Sequence, residues 1–165
     1  MGHYSKRAIF LDRDGVINED LGYVHRIEDF RFLPGVFEAL RRLQKMGYAL
    51  VVVTNQSGIG RGFYGEEEFM RLSGWMRERL QEEGIELLDI LHCPHHPDAG
   101  CECRKPEPGM ILEAARRHGI DLGRSWMVGD RPSDIEAARR AGVGGAILLQ
   151  NQNLIDVVDD IKEIG

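Results

Sequence analysis

The sequence predicts an α/β fold: a doubly wound, mostly parallel, Rossmann-like sheet. Short apolar or β-branched runs alternate with amphipathic stretches about five times along the chain. The run ALVVVT at 49–54 is apolar up to its closing threonine, as expected of a parallel strand covered on both faces. Polar residues end these runs, at Asp12, Thr54, Cys93 and Asp130, where open parallel sheets bind their ligands.

The elements follow in order. AIFLD at 8–12 reads as a strand, and residues 35–46 as a helix with Val36, Phe37, Leu40, Leu43 and Met46 on one stripe and Gly47 as its stop. After the strand at 49–54, EEEFMRLSGWMRERLQEEG at 66–84 is a long helix with an acidic first turn. LLDILH at 87–92 is a strand, MILEAARRHG at 110–119 a helix and WMVGD at 126–130 a strand. SDIEAARRAG at 133–142 is a helix, AILL at 146–149 a strand, and a last helix is expected over 154–164. No repeat, low-complexity tract or linker divides the chain, so one domain over 1–165 is expected.

Composition limits the function. Hydrophobic residues make up 42% and charged residues 29%, so 165 residues can bury a core without staples. A net charge of −6 without a basic tract speaks against nucleic acid, and handling an anion would require local Arg and Lys. The opening MGHYSKRAIFLDRDG has too short an apolar run for a signal peptide and no lipidation context. The longest apolar stretch, at 48–54, is far short of a membrane span. A cytoplasmic protein is expected, with no membrane partner and, without an apolar seam, a monomeric state. Three cysteines, an odd number in a reducing compartment, are poor material for structural disulfides.

In FLDRDGVIN, Asp12 ends a buried run and Asp14 follows two residues later, with Gly15 free to turn sharply. Carboxylates that close repel unless a cation or proton lies between them. A capping or turn role for one of them explains the pattern equally well. In VVVTNQSGIGRG, Thr54 and the backbone N–H groups of the following loop offer donors to an oxyanion, though alone the motif reads more simply as a turn. In MVGDRPSDIEAA, Asp130 and Asp134 suit a divalent cation, while Asp134 equally suits a helix dipole.

In combination these motifs are specific. The order hhhhDxDGV, hhhTN, a lysine before a helix and hhGDxxxD resembles the haloacid dehalogenase-like phosphohydrolases. That resemblance implies Asp12 as nucleophile through an aspartyl phosphate, and Asp14 as general acid and base. It implies Mg²⁺ held by Asp12, the backbone carbonyl of Asp14 and Asp130, with Thr54 and Lys105 stabilising the transferred group. Asp14 separates the chain from the dehalogenases, which lack this acid, and from the transport ATPases, which carry Thr there.

The stretch CPHHPDAGCECRKP holds all three cysteines. Cys93, His95, Cys101 and Cys103 match a closed Cys3His structural Zn²⁺ site, with His92 and His96 as rival ligands. Free thiols or a disulfide are the plainer alternatives. Arg104 and Lys105 follow without a spacer, so the metal would fix the lysine over the strand ends.

With GYVH at 22–25 and the CxCRKPxPGM block, the pattern resembles the heptose 1,7-bisphosphate phosphatase family over residues 8–149, with the histidinol-phosphate phosphatases close behind. The resemblance implies a small phosphorylated sugar as substrate, in nucleotide-heptose synthesis for lipopolysaccharide. It assigns substrate contacts to Asp20, Leu21, Gly22, Tyr23, Asn55, Gln56, Ser57, Arg104 and Arg131. That family often has Lys at Arg131 and Thr at Val16, and the first change alters donor geometry. Core strands and helices fill the intervals from Asp14 to Thr54 and from Thr54 to Lys105, so no cap domain fits. Two other classes have less support: a phospho-receiver domain, and a zinc-stabilised binding module on a non-catalytic fold.

Overall fold

The computed structural model describes residues 4–164; Met1–His3, which open the stretch tested for a leader, lie outside the described residues. Strands β1 (Ala8–Leu11), β2 (Ala49–Asn55), β3 (Leu87–Cys93), β4 (Trp126–Gly129) and β5 (Gly145–Leu148) form one sheet in the order β3-β2-β1-β4-β5. Every pairing is parallel. The chain winds from β1 outward to β3, then crosses back to β4 and β5. The winding therefore reverses between β1 and β4, and a ligand crevice opens beyond the strand ends there.

Alternation along the central strands supplies two cores. Ile9, Leu11, Val52 and Val128 face one side, under α1 (Val36–Lys45) and, beyond the single-turn α2 (Ser57–Gly60), α3 (Glu66–Glu82). Phe10, Val51, Val53 and Met127 face the other, under α4 (Gly109–His118) and α5 (Pro132–Ala141). These central side chains are fully buried, each stabilising the fold by about 1.5–3 kcal/mol.

The final helix departs from expectation. It is one turn, α6 (Leu154–Val157), followed by a 3-10 turn, Val158–Asp160, and extended backbone at Ile161. Leu154, Val157, Val158 and Ile161 are buried as their spacing requires. Asp159 and Asp160, however, put negative charge where a helix C-terminus is already negative, and two adjacent valines are stiff at χ1. Met46 also leaves its expected stripe and is exposed as the C-cap of α1.

Candidate active site

β1 delivers Asp12 to the switch point, where its backbone N–H donates to Val128 O at 3.3 Å. Lys105 comes from the opposite side and is 3% exposed. Its Nζ lies 3.2 Å from Asp12 Oδ1 and 2.6 Å from Asp134 Oδ1, and it donates to Val53 O at 2.8 Å. Burial pushes the Asp12 carboxyl up to about 7; Lys105 opposes the shift, and Asp134, Asp14 and Asp130 add to it. Burial pulls the Lys105 ammonium down, but Asp12 and Asp134 outweigh this and leave it raised.

Oxygens of Asp12, Asp130 and Asp134 converge within 4.8 Å. Asp130 is raised by burial and by Asp134, against Arg131, and its Oδ1 is buried without a hydrogen-bond partner. One ammonium does not neutralise three converging carboxylates. A hard divalent cation with oxygen ligands fits this donor set and the unpartnered Oδ1. Two glycines make the approach possible. Gly15, at φ +91°, would drive a Cβ to 2.0 Å from Asp130 Oδ2, and a Cβ on Gly129 would meet Asp134 at 2.3 Å.

Asp14 faces away from this cluster. Its Oδ1 accepts from Asn18 Nδ2 at 2.8 Å and from Arg13 Nε and Nη2 at 3.2 and 3.0 Å. Gln56 Nε2 donates to Thr54 Oγ1 at 2.9 Å and reaches Asp14 Oδ2 at 3.5 Å, while Gln56 Oε1 accepts from the Tyr64 hydroxyl. Burial foremost pushes the Tyr64 phenol up to about 12, so it stays a donor and fixes which way the Gln56 amide points. His25 stacks on the Tyr64 ring at 4.7 Å.

The cleft over these groups has a volume of about 580 Å³, and Asp12, Asp14 and Lys105 lie in its floor. Asp20, Gly22, Tyr23, Ser57, Arg104 and Arg131 line its walls. Arg131 Nη2 meets Asp20 Oδ2 at 3.2 Å across the rim, and Tyr23 packs edge-on against Phe63 at 4.9 Å. Leu21 is exposed and does not line the cleft. Asn55 contributes from beneath: its Nδ2 donates to Lys105 O at 3.3 Å and its Oδ1 accepts from Lys105 N at 3.0 Å. The backbone of the lysine is thus clamped to β2.

Beside the cleft, ligand atoms of Cys93, His95, Cys101 and Cys103 also converge within 4.8 Å. The sulfurs of Cys93 and Cys103 are paired as a disulfide and Cys101 is free. A disulfide explains two sulfurs only. His95 Nδ1 lies 3.3 and 3.2 Å from Cys93 and Cys103 Sγ, and Cys101 Sγ lies 3.5 and 3.8 Å from the same two. Zn–S bonds of about 2.3 Å put tetrahedral ligand atoms about 3.8 Å apart, near the His95 and Cys101 separations, so with Cys93 and Cys103 as unpaired thiolates the four residues would suit a Zn²⁺ ion. The rival histidines are engaged elsewhere, His96 with Asp98 and His92 with Glu66 at 2.7 Å. Gly60 N–H donates to Pro94 O at 2.8 Å, docking the loop onto α2.

A family model described as HAD-hydrolase-like matches residues 102–162. A D-glycero-beta-D-manno-heptose-1,7-bisphosphate 7-phosphatase of Photorhabdus laumondii is 53% identical over 150 residues, 87% of this chain and 80% of the relative. The chain belongs to the heptose-1,7-bisphosphate 7-phosphatase family of HAD-like hydrolases. The alpha-anomer 7-phosphatase of the same organism is 43% identical over 157 residues, 91% of this chain and 86% of that protein. Among solved structures, the D,D-heptose 1,7-bisphosphate phosphatase of B. bronchiseptica, complexed with magnesium and phosphate, superposes with a TM-score of 0.79. It is 38% identical, and the match covers 84% of this chain and 78% of that one. Like its heptose-phosphatase relatives, this chain is a phosphoric monoester hydrolase.

Within that family frame, Arg13, Asn18, Tyr64 and His25 surround the site without having been expected there. Arg13 had a visible signal, a cation between the two carboxylates of DRDG. His25 lay in the GYVH motif, though nothing there pointed to its stacking on Tyr64, and Tyr64 had no signal, since only tertiary folding brings it to Gln56. Asp134 takes the helix-start role, its Oδ2 accepting from Arg131 N at 3.1 Å, and its Oδ1 pairs with Lys105 at 2.6 Å.

Proposed function

We propose that the protein is a Mg²⁺-dependent phosphatase that removes the 7-phosphate of D-glycero-β-D-manno-heptose 1,7-bisphosphate, during nucleotide-heptose synthesis for lipopolysaccharide. The observation that carries this reading is the buried Asp12–Lys105–Asp134 cluster, with Asp130 beside it at the sheet's switch point. The β anomer is preferred because the beta-named relative is 53% identical and the alpha-named one from the same organism 43%.

Asp12, Asp130 and the Asp14 backbone carbonyl would hold Mg²⁺, which when bound offsets repulsion between the anionic nucleophile and the anionic ester. An Asp12 carboxylate oxygen attacks phosphorus, the bond from phosphorus to the sugar oxygen breaks, and an aspartyl phosphate forms. Asp14 gives a proton to the departing sugar oxygen. It then takes one from the water that cleaves the aspartyl phosphate, which restores both carboxyls and releases inorganic phosphate. Lys105 and the Thr54 hydroxyl stabilise the charge on the transferred group. Arg104, Arg131 and the 20–23 loop select the sugar, and Cys93, His95, Cys101 and Cys103 would hold a structural Zn²⁺ that would steady the loop leading to Lys105.

One uncapped domain over 1–165 carries the reaction. We place it in the cytoplasm, where a reducing environment would keep the Cys3His cluster as thiolates for a metal, and among the described residues no helix is long and apolar enough to cross a membrane. We take it as a monomer, since Arg77 donates to Leu87 O at 2.7 Å and Asp89 accepts from Ile90 N at 2.8 Å along edge strand β3. The test is Mg²⁺-dependent phosphate release from the β and α heptose bisphosphates and from histidinol phosphate, with Asp12→Asn as control. Highest kcat/KM on the β anomer is expected. A preference for histidinol phosphate would transfer the same chemistry to another substrate, and turnover independent of Asp12 would sink the mechanism.

A further inference from the structure

Arg13 stands between the two carboxylates of the DRD run, and it is 1% exposed. The reaction as derived gives it no task. A guanidinium is buried at high cost unless its donors are met, and a buried ion pair is a weak source of stability in itself. Two of the three guanidinium nitrogens of Arg13 reach one neighbour, while Nη1 is buried without a partner. Nε and Nη2 lie 3.2 and 3.0 Å from Asp14 Oδ1, and Nη2 lies 3.2 Å from Oδ2. Nη2 also donates to Val24 O at 2.7 Å, and the guanidinium sits 5.8 Å from the centre of the Phe30 ring. Val24 directly follows Gly22 and Tyr23, which line the cleft wall.

We propose that Arg13 is a positioning residue for proton donation to the leaving sugar oxygen. Its fork holds the Asp14 carboxyl in one orientation, completed by Asn18 at 2.8 Å. Its bond to Val24 ties that orientation to the loop that faces the substrate. A planar guanidinium can grip a carboxylate with two nitrogens and still reach a third acceptor; a lysine ammonium is a point charge without that fork. The inference rests on the reading of Asp14 as the proton donor, and the experiment separates the two.

The measurement is kcat/KM for heptose 1,7-bisphosphate and for p-nitrophenyl phosphate, in wild type, Asp14→Asn, Arg13→Met and Arg13→Lys. This quantity ends at departure of the leaving group. The sugar alkoxide needs a proton to depart and p-nitrophenolate does not. The ratio of the two values is also insensitive to any inactive fraction of a variant, so partial misfolding cannot mimic the effect. Asp14→Asn is expected to lower the sugar-to-phenyl ratio by roughly 10²- to 10³-fold. Arg13→Met is expected to lower it by roughly 10- to 100-fold, the scale of a small misplacement of a reacting group. Arg13→Lys should fall between Arg13→Met and wild type. Equal losses on both substrates in Arg13→Met would make the arginine a packing residue and overturn the proposal. Should that variant not be recovered folded, a wild-type ratio in Arg13→Lys overturns it instead. An unchanged ratio in Asp14→Asn would refute the underlying assignment of the donor.

Discussion

Asp12, Thr54 and Asp134 take their positions from strand ends and a helix start, and each is at most 8% exposed. Cys93 also ends a strand, but His95, Cys101 and Cys103 lie in a loop, the two cysteines only partly buried against the core and His95 exposed. The two clusters meet at Lys105, whose Nζ belongs to the first while its chain leaves the second two residues after Cys103. The contrast shows two ways to fix a charged group. Burial in the sheet holds Asp12 without help but raises its proton affinity, and so calls for a cation. The loop has less burial to use, Cys101 and Cys103 being only partly buried against the core, and convergent soft ligands around a metal would order it. Asn55 is the sheet's own hold on the lysine, since it clamps the Lys105 backbone from β2.

The sharpest way to break this contrast is to remove a function of one cluster while leaving the other intact. Asp12→Asn should lower kcat by on the order of 10⁴-fold or more, as expected for loss of a nucleophile. Zinc uptake by the variant, followed by a chromophoric chelator, should match wild type. Loss of zinc along with turnover would show that the clusters are not independently held.

Lys105→Met tests the junction. It leaves Asp12 and Asp134 facing each other without their cation, so a loss of about 3–5 kcal/mol in denaturant unfolding is expected. A drop of roughly 10²- to 10³-fold in kcat should accompany it. Arg104→Met, one residue away but partly exposed, should stay within about 0.5 kcal/mol of wild type. Equal destabilisation by both would mean that the loop, and not the buried pairing, carries the stability.

Cys101→Ser addresses the loop alone. Faster amide exchange is expected over 94–104, with β1 and β4 still protected, and about a tenfold loss of kcat through a slightly displaced Lys105. If exchange quickens and kcat does not change, Asn55 by itself suffices to position the lysine.

Much of this layout was legible beforehand, for physical reasons. Apolar runs such as 49–54 have few alternatives to a buried parallel strand, and Asp12, Lys105 and Asp130 lie in motifs whose spacing reflects the strand ends. The bonding around Asp14 was not legible: Asn18 and Gln56 stand in the FLDRDGVIN and VVVTNQSGIGRG motifs, but nothing periodic shows that their side chains turn to Asp14 or that Tyr64 holds Gln56. The last helix was over-read from the same pattern that served elsewhere. Its apolar spacing governed burial, but paired aspartates at its end opposed helical continuation.

The smallest expected effect concerns pH. In metal-free protein the Asp12 carboxyl is raised to about 7 by burial, against about 4 in an unfolded chain. The folded state therefore holds its proton over a range where the unfolded state has released it. Stability from this group is fully present below about pH 4 and is lost as pH rises through about 7. Metal-free wild type should thus lose melting temperature relative to Asp12→Asn between about pH 5 and about pH 8, with the difference growing upward. Mg²⁺ should reverse the trend in wild type and not in the variant, because it stabilises the ionised carboxylate that burial disfavours. A wild-type protein that gained on Asp12→Asn with rising pH, without Mg²⁺, would mean that Lys105 alone neutralises the cluster. The buried carboxylates would then have no need of a cation, and the contrast with the cysteine loop would fail at its base.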